Sequence, residues 1–231
     1  MRILTKKQSI NLDSISIEKY NVSQSGLMIS AANSIVNAVE KYSSSVAGQS
    51  RILILCGKGN NGGDAVCAAR ILHKKKYDVH VHFLMEKNGI NGPSLRYHEE
   101  YVNLSASISY GVELFKYDRF DVIIDGIIGI GFRDNLNKKL TSWIKWINQS
   151  DMYVISVDMP SGLNSNNGVA SPIAIKANNT ITFGFSKIGL YLADGKDHAG
   201  DIQVEDLGFP KQAIDDIDGI KYKLFDSKEV K

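Results

Sequence analysis

One stretch, residues 56–70 (CGKGNNGGDAVCAAR), limits what this chain can fold into more than any other. It follows an apolar β-type run at 51–55 and leads into a helix-type run at 65–76. Four glycines lie at the join, and glycine lets a backbone approach a ligand closely or adopt positive φ. A helix that begins just after them offers free N–H groups and its positive dipole end to an anion. The stretch therefore predicts a strand, a glycine-rich loop and a helix that together bind phosphate.

The same alternation continues along the chain. Further strand-type runs lie at 78–85, 108–112, 121–125, 153–158, 179–185 and 202–206, and further helix-type runs lie at 24–42, 94–104 and 136–149. Strands that alternate with helices predict parallel β-α-β units with helices on both faces of the sheet. Apolar, β-branched runs such as VIID and VISVD fit strands that are buried on both faces. We predict an α/β fold, specifically a three-layer α/β/α, Rossmann-like, doubly wound domain with a mostly parallel sheet.

Three strands of this predicted sheet end in a polar or glycine-rich loop: GKGNNGGD at 57–64, DGIIGIGFRDN at 125–135 and DMPSGLN at 158–164. In a parallel sheet these loops share one edge, so Asp64, Asp125 and Asp158 are expected to face one crevice. A single glycine-rich turn is equally well a tight strand-to-helix connection, and a single Asp is more often a helix cap or a turn residue. Because three such loops are expected at one edge of the sheet, these purely structural roles are a weaker explanation for all three together.

The first loop also argues against two common activities. It lacks the Lys-Ser/Thr pair of a nucleoside-triphosphate P-loop, so phosphoryl transfer is not indicated. It lacks the GxGxxG spacing of the dehydrogenase fingerprint, so ordinary hydride transfer is not indicated either.

Composition narrows the class of protein further. The 231 residues are 43% apolar and 23% charged, which is typical of a single globular domain. Lys and Arg outnumber Asp and Glu by only 27 to 25, a balance that argues against nucleic acid as a partner. The two cysteines show no disulfide pattern, and no apolar run is long enough to span a bilayer. We expect a cytoplasmic protein with no membrane partner.

Four ordered blocks carry a family resemblance: NNGGDA, DGIIGIG, VDMPSGLNSNNG and ITFGFSKIGLYLADGKDHAGDIQVEDLGFP. Together they resemble the YjeF N-terminal domain family, the NAD(P)H-hydrate epimerases, from about residue 14 to residue 210. The resemblance implies a homodimeric isomerase that interconverts the R and S forms of hydrated NADH and NADPH (NADHX and NADPHX). A dehydratase partner then restores the nicotinamide cofactor. We expect residues 1–221 to form this domain and 222–231 to be a tail or linker, leading into a dehydratase domain beyond the sequence.

The same resemblance implies the site residues. The residues expected to contact substrate are Asn60, Asn61, Gly62, Gly63, Asp64, Gly129, Ile130, Gly131, Phe132, Arg133, Asp134, Asn135 and Asp158. The residues expected to bind a potassium ion are Asn61, Asp125 and Ser161. A large monovalent cation prefers several oxygen ligands with few full charges, which an amide, one carboxylate and a hydroxyl provide. Lys187 and Asp197 match family-like positions and are expected to close over the ligand.

The implied reaction needs few protein groups. The substrate carries a hydroxyl on the carbon next to the ring nitrogen, so the nitrogen lone pair can expel it as water. The planar iminium then accepts water from the other face. The protein has to protonate the leaving oxygen, deprotonate the incoming water and hold the substrate rigidly. We hypothesise that Asp158 is this catalytic acid and base.

Some positions depart from the family pattern, and other functions stay open. Lys58 stands where the family generally has Pro, Ile130 replaces the Thr of a common GTG, and Asn164 stands where Asp is usual. A second hypothesis is a non-catalytic nucleotide- or RNA-binding scaffold module of the same fold, and a third is a dinucleotide-binding regulator. Retention of Asn61, Asp125, Asp158 and Ser161 together favours the enzyme.

Overall fold

The computed structural model describes residues 2–46, 48–114, 120–133 and 135–224. The elements within these ranges are β1 (Arg2–Leu4), α1 (Lys6–Glu18), α2 (Gln24–Ser45), β2 (Arg51–Cys56), α3 (Asn60–Lys74), β3 (Asp78–Phe83), α4 (Pro93–Val102), β4 (Ser107–Tyr110), β5 (Val122–Gly126), α5 (Lys138–Asn148), β6 (Tyr153–Val157), β7 (Asn179–Phe183), β8 (Ser186–Lys187), α6 (Gly195–His198), β9 (Asp201–Glu205), α7 (Lys211–Asp215) and β10 (Tyr222–Lys223).

Seven of the strands form one sheet in the order β4-β3-β2-β5-β6-β7-β9, and every neighbouring pair is parallel. From β2 the chain first moves outward through β3 to β4. It then returns to β5 on the other side of β2 and continues through β6, β7 and β9. The strand order therefore reverses between β2 and β5, where doubly wound sheets bind their ligands. The predicted fold class is confirmed.

The alternation of side chains along β2 explains the three layers. Ile52 and Ile54 point into a core cluster with Ile35 and Val36 of α2 and with several residues of α3 and α4. Leu53 and Leu55 point to the opposite face and pack in a second cluster with Trp143, Ile144 and Ile147 of α5. Because successive strand residues face opposite sides, an unbroken apolar strand needs helices on both faces.

Three helices begin where a side chain accepts a hydrogen bond from a first-turn N–H group. Thr5 forms a capping box with Gln8 at α1, Ser23 caps α2 and Asn137 caps α5. Such caps satisfy N–H groups that have no partner inside the helix. The starts of α1 and α2 both lie beside the cavity of the functional site.

The start of α3 differs from the sequence prediction. The helix begins at Asn60 rather than at residue 65, so Gly62 and Gly63 lie in its first turns instead of in a loop. Of the two properties of glycine that the sequence suggested, positive φ is not used here, since Gly57, Gly62 and Gly63 do not adopt it. Their role is close packing: a Cβ on Gly57 would lie 1.8 Å from the Ile127 carbonyl oxygen, and one on Gly62 would lie 1.9 Å from the Gly57 carbonyl oxygen. The glycines bring the ends of β2 and β5 together at the reversal of the sheet.

A second, three-stranded sheet was not predicted. Its order is β10-β1-β8, with β1 antiparallel to β10 and parallel to β8. The run expected as one strand at 179–185 ends at Phe183, turns at Gly184 with φ +66° and continues as β8. Leu4 of β1 lies in register with Lys187 of β8. The expected tail 222–231 begins at β10, and its residues 225–231 lie outside the described residues.

None of the described helices combines the length and the apolar character needed to cross a bilayer.

Candidate functional site

The three predicted loops do meet at one edge of the large sheet. Cys56 pairs with Gly126 and Asp125 pairs with Ser156, so β2, β5 and β6 end at nearly the same level. A cavity of about 820 Å³ opens at this edge, within the size range of small-molecule sites. Its remaining walls come from α1, the start of α2 and residues near β7 and β8.

Most of the predicted substrate residues line this cavity. Those that do are Asn60, Asn61, Asp64, Gly129, Ile130, Gly131, Phe132, Arg133, Asn135 and Asp158. Gly62 and Gly63 do not line it, because they are buried inside α3, where Gly63 packs against Met28. Asp134 lies outside the described residues.

The first turn of α3 is open toward the cavity. Gly59 is the N-cap residue, and within the described residues no side chain caps this helix, in contrast to α1, α2 and α5. Gly59 and Asn60 both line the cavity, as does the exposed Lys58. Uncapped N–H groups, the helix dipole and one lysine together make this wall suited to an anionic group.

Asp125 was expected to face the crevice with Asp64 and Asp158, but it does not line the cavity, because it is fully buried at the end of β5. Its Oδ1 accepts hydrogen bonds from Ser161 Oγ at 2.5 Å and from the Ile127 N–H at 3.3 Å. Its Oδ2 accepts from Ser156 Oγ and from the Ser161 N–H, both at 2.9 Å. Burial raises the pKa of Asp125, and these hydrogen bonds, with those from Ser161 largest, oppose the rise. The Asp125 carboxylate thus fixes the loop 158–164, which contains Ser161, against the end of β5.

Asn61 packs on the loop that follows β5. Its side chain is buried, and its Nδ2 has no hydrogen-bond partner in the part of the chain that the structure describes. A Cβ on Gly129 would lie only 2.7 Å from Asn61 Oδ1, so the amide packs directly on the glycine backbone. Ser161 Oγ accepts from the Ile128 N–H at 2.9 Å. Residues 126–129 thus connect Asn61, Asp125 and Ser161, the three predicted ion ligands.

This donor set fits a potassium ion better than a divalent metal ion. It offers an amide oxygen, one carboxylate, a hydroxyl and backbone carbonyl oxygens. Among the described residues no group of three His, Cys, Asp or Glu side chains is placed to bind a metal ion. Neutral oxygens with a single charge are what a large monovalent cation prefers.

Asp158 follows β6 with φ +64°, a backbone conformation that costs a non-glycine residue about 1–3 kcal/mol. Its N–H donates to the Ile181 carbonyl oxygen at 2.7 Å, and its Oδ1 accepts from Thr182 Oγ1 at 3.2 Å and from Lys187 Nζ. Lys187 Nζ also donates to Thr182 Oγ1 at 2.9 Å and to the Phe183 carbonyl oxygen at 3.0 Å. The strained turn aims a paired carboxylate into the cavity.

Two further carboxyl groups line the same cavity. Burial raises the pKa of Asp64 well above its ordinary value, and the charges of Asp158 and Asp13 add to the rise. Burial also raises the pKa of Asp13, on α1, to about 6; Asp158 adds to this shift and Lys187 opposes it. The site therefore combines three carboxyl groups with one buried ammonium group.

Sequence reasoning located some of these groups and missed others. Lys187 lies in the cavity wall as expected, whereas Asp197 is exposed on α6 and does not line the cavity. Asp13 and the whole α1 wall were missed, because a polar helix near the N-terminus gives the pattern of a solvated surface. The one available signal was the spacing of Ser9, Asp13 and Ile17, which places them on one helix face.

Comparisons with known proteins agree with this architecture. The family model described as "YjeF-related protein N-terminus" matches residues 24–189. The NAD(P)H-hydrate epimerase of Oenococcus oeni is 31% identical over 209 residues, which are 89% of this chain and 96% of that protein. The bifunctional NAD(P)H-hydrate repair enzyme Nnr of Moorella thermoacetica is 29% identical over 93% of this chain but only 42% of its own length. The crystal structure of the yeast protein ynu0 (YNL200c) shares the fold, with a TM-score of 0.78 and 16% identity over 98% of both chains.

Proposed function

Because the chain belongs to the family of YjeF-related N-terminal domains, we propose that it is an NAD(P)H-hydrate epimerase, an isomerase that interconverts the R and S forms of hydrated NADH and NADPH. The observation that carries the proposal is the position of Asp158. Its carboxylate, bonded to Lys187, faces the cavity that the three strand-end loops line. The reaction belongs to nicotinamide cofactor repair, in which a dehydratase consumes one epimer.

Each wall of the cavity has a part in this reaction. The pyrophosphate would lie against the open first turn of α3 and Lys58, where N–H groups and positive charge favour it. The loop that contains Gly129 and Phe132 would hold the rest of the dinucleotide. Asp158 would protonate the departing hydroxyl or deprotonate the incoming water, depending on direction. Lys187 would hold this carboxylate in place and balance its charge.

A potassium ion is part of the proposal. Asn61, Asp125 and Ser161 would hold it beneath the loop 126–129, since their oxygen atoms surround that loop. The ion supplies a fixed positive charge, and the protein residues then fix the shape of the substrate loop above it.

The wider setting of the protein is also proposed. The name of the Nnr relative joins this activity to a second repair activity in one chain, which favours a dehydratase as partner. Free, buried Cys56 and Cys67 fit a reducing, cytoplasmic compartment, and a homodimer follows from the family resemblance. The names of the relatives favour the epimerase over the non-catalytic scaffold.

The test is an assay with separated epimers of NADPHX, followed by chromatography against a protein-free control. We expect either epimer to be converted to the same equilibrium mixture in potassium buffer, and more slowly in lithium buffer. Absence of conversion above the spontaneous rate in both buffers would exclude the epimerase function and favour the non-catalytic binding module.

A further inference from the structure

The helix α1 forms a wall of the cavity although it lies outside the part of the chain that the family model matches, which begins at residue 24. Ser9, Asp13 and Ile17 all line the cavity, and their spacing of four residues places them on one face of the helix. With Ile10 and Leu12, which also line the cavity, α1 contributes three apolar and two polar residues to this wall.

Three contacts hold α1 against the rest of the site. The preceding strand β1 pairs in parallel with β8, with Leu4 in register with Lys187. At the start of the helix, Lys6 Nζ donates to the Phe132 carbonyl oxygen at 2.8 Å, and the Lys6 N–H donates to Asn166 Oδ1 at 2.9 Å. The helix is thus fixed to the strand that carries Lys187 and to two loops at the cavity edge.

Ser9 is a second polar residue of this wall. It is 9% exposed, and its Oγ has no hydrogen-bond partner among the described residues. A buried hydroxyl without a partner is uncommon, because its loss of hydration is not compensated. Ser9 lies one helical turn before Asp13 on the same cavity-lining face.

Asp13 is placed among the charged groups of the site. Asp158 after β6, Lys187 on β8 and Asp64 on α3 all interact with it electrostatically across the cavity. Because Lys187 bonds directly to Asp158, its charge compensates that carboxylate first. Burial, with the charge of Asp158, raises the pKa of Asp13 to about 6, against the opposing charge of Lys187.

We propose that α1 supplies a second proton-transfer group to the site, Asp13, and that Ser9 donates a hydrogen bond to the substrate beside it. This inference rests on the proposed epimerase function. Loss and return of water occur on opposite faces of a planar ring, so two groups on different walls serve the reaction better than one.

The Asp13 carboxylic acid gives its proton to the substrate hydroxyl, the C–O bond breaks, and water leaves as the ring-nitrogen lone pair forms a C=N⁺ bond. Water then adds to the other face, and its proton passes to the Asp158 carboxylate. The reverse reaction uses the same two groups with their roles exchanged.

The test compares Asp13→Asn and Asp13→Glu with the wild type, and uses Glu18→Gln as the control, an exposed carboxylate on the same helix. We expect Asp13→Asn to lower kcat about 100-fold or more, while its Kd for the equilibrated epimer mixture changes less than about threefold. The proposed step starts with a proton on Asp13 and none on Asp158. Because Asp13 loses this proton as pH rises, wild-type kcat/KM should fall above about pH 6, and this fall should disappear in Asp13→Asn. Asp13→Glu should restore part of the rate together with the fall.

The outcomes separate the two proposals. A wild type that does not interconvert the epimers overturns the proposed function and this inference with it. If the wild type is active and Asp13→Asn has the same rate and pH profile, this inference alone is overturned and the proposed function stands. If Asp13→Asn does not fold by circular dichroism, Asp13→Ala decides: a folded Asp13→Ala protein with the wild-type kcat and pH profile contradicts the role of Asp13. An unchanged KM in Ser9→Ala would remove Ser9 from the proposal.

Discussion

Lys187 forms an ion pair with Asp158 although the strands that position the two residues belong to different sheets. Asp158 directly follows β6 of the seven-stranded sheet, Lys187 lies in β8 of the three-stranded sheet, and their side chains are 12% and 3% exposed. The pairing of β1 with β8 places the ammonium group, and the positive φ of Asp158 places the carboxylate. Both sheets therefore contribute to the site: the large sheet positions the carboxylate and the small sheet positions the ammonium group.

Removing the ammonium group should damage both stability and activity. In Lys187→Met the buried Asp158 carboxylate loses its charged partner, which typically costs about 3–5 kcal/mol. Urea unfolding should show this loss, and epimerisation should fall below a tenth of the wild-type rate. The control is Lys196→Met, which removes an exposed lysine and should leave both quantities unchanged. Wild-type stability in Lys187→Met would mean that the pair does not hold the site together.

Asp158→Asn tests the proton transfer itself. The amide keeps the size of the side chain but cannot exchange a proton, so kcat should fall about 10²–10⁴-fold while the epimer mixture still binds. Asp197→Asn, on the exposed surface of α6, serves as the matched control. Near-normal epimerisation by a folded Asp158→Asn protein would exclude Asp158 as the acid and base.

The glycines at the reversal of the sheet should be irreplaceable for steric reasons. Gly57→Ala would place a methyl group 1.8 Å from the Ile127 carbonyl oxygen, and backbone cannot move away cheaply. We expect a loss of about 3 kcal/mol or more in the free energy of unfolding. Gly131→Ala is the control, because its methyl group would meet no atom within 4 Å and its φ is not positive. It should change stability by less than about 0.5 kcal/mol. Equal effects of the two substitutions would contradict the close-packing role.

Potassium should stabilise the protein through Asn61. A ligand at 10–100 times its Kd raises the free energy of unfolding by about 1.4–2.7 kcal/mol, so Tm should be higher in potassium than in lithium. Asn61→Ala should abolish this difference with little effect in lithium, where its Nδ2 has no partner to lose among the described residues. Asn60→Ala, an exposed neighbour, should keep the potassium response. A response that persists in Asn61→Ala would remove Asn61 from the ion site.

Asp64 should make the protein less stable as pH rises. Burial raises its folded-state pKa well above the ordinary 3.8, so the folded state holds its proton more tightly than the unfolded state does. The contribution is fully present below about pH 4 and is lost as pH rises through the raised pKa. Asp64→Asn should therefore gain stability relative to the wild type as pH increases from 4 toward 8, measured by thermal unfolding. A difference that does not change with pH would show that Asp64 is not held protonated in the folded state.

The sequence predicted the large sheet because its strands are long, apolar and each followed by a polar loop. The edge that unites Asp64, Asp125 and Asp158 followed from parallel topology alone. The start of α3 was misplaced because Gly62 and Gly63 have low helix propensity, and only the close approach to Gly57 explains them. Strands of two or three residues, such as β1 and β8, carry no periodicity, so the small sheet could not be predicted from the sequence.

The most direct test of the account is isotope incorporation during epimerisation. One purified epimer of NADPHX is converted by the protein in H₂¹⁸O with potassium, and the product epimer is analysed by mass spectrometry after subtraction of the protein-free reaction. Loss and return of water in the cavity beside Asp158 predicts one ¹⁸O atom in each molecule of the opposite epimer. Catalysed epimerisation without label, or no catalysed epimerisation at all, would contradict the account.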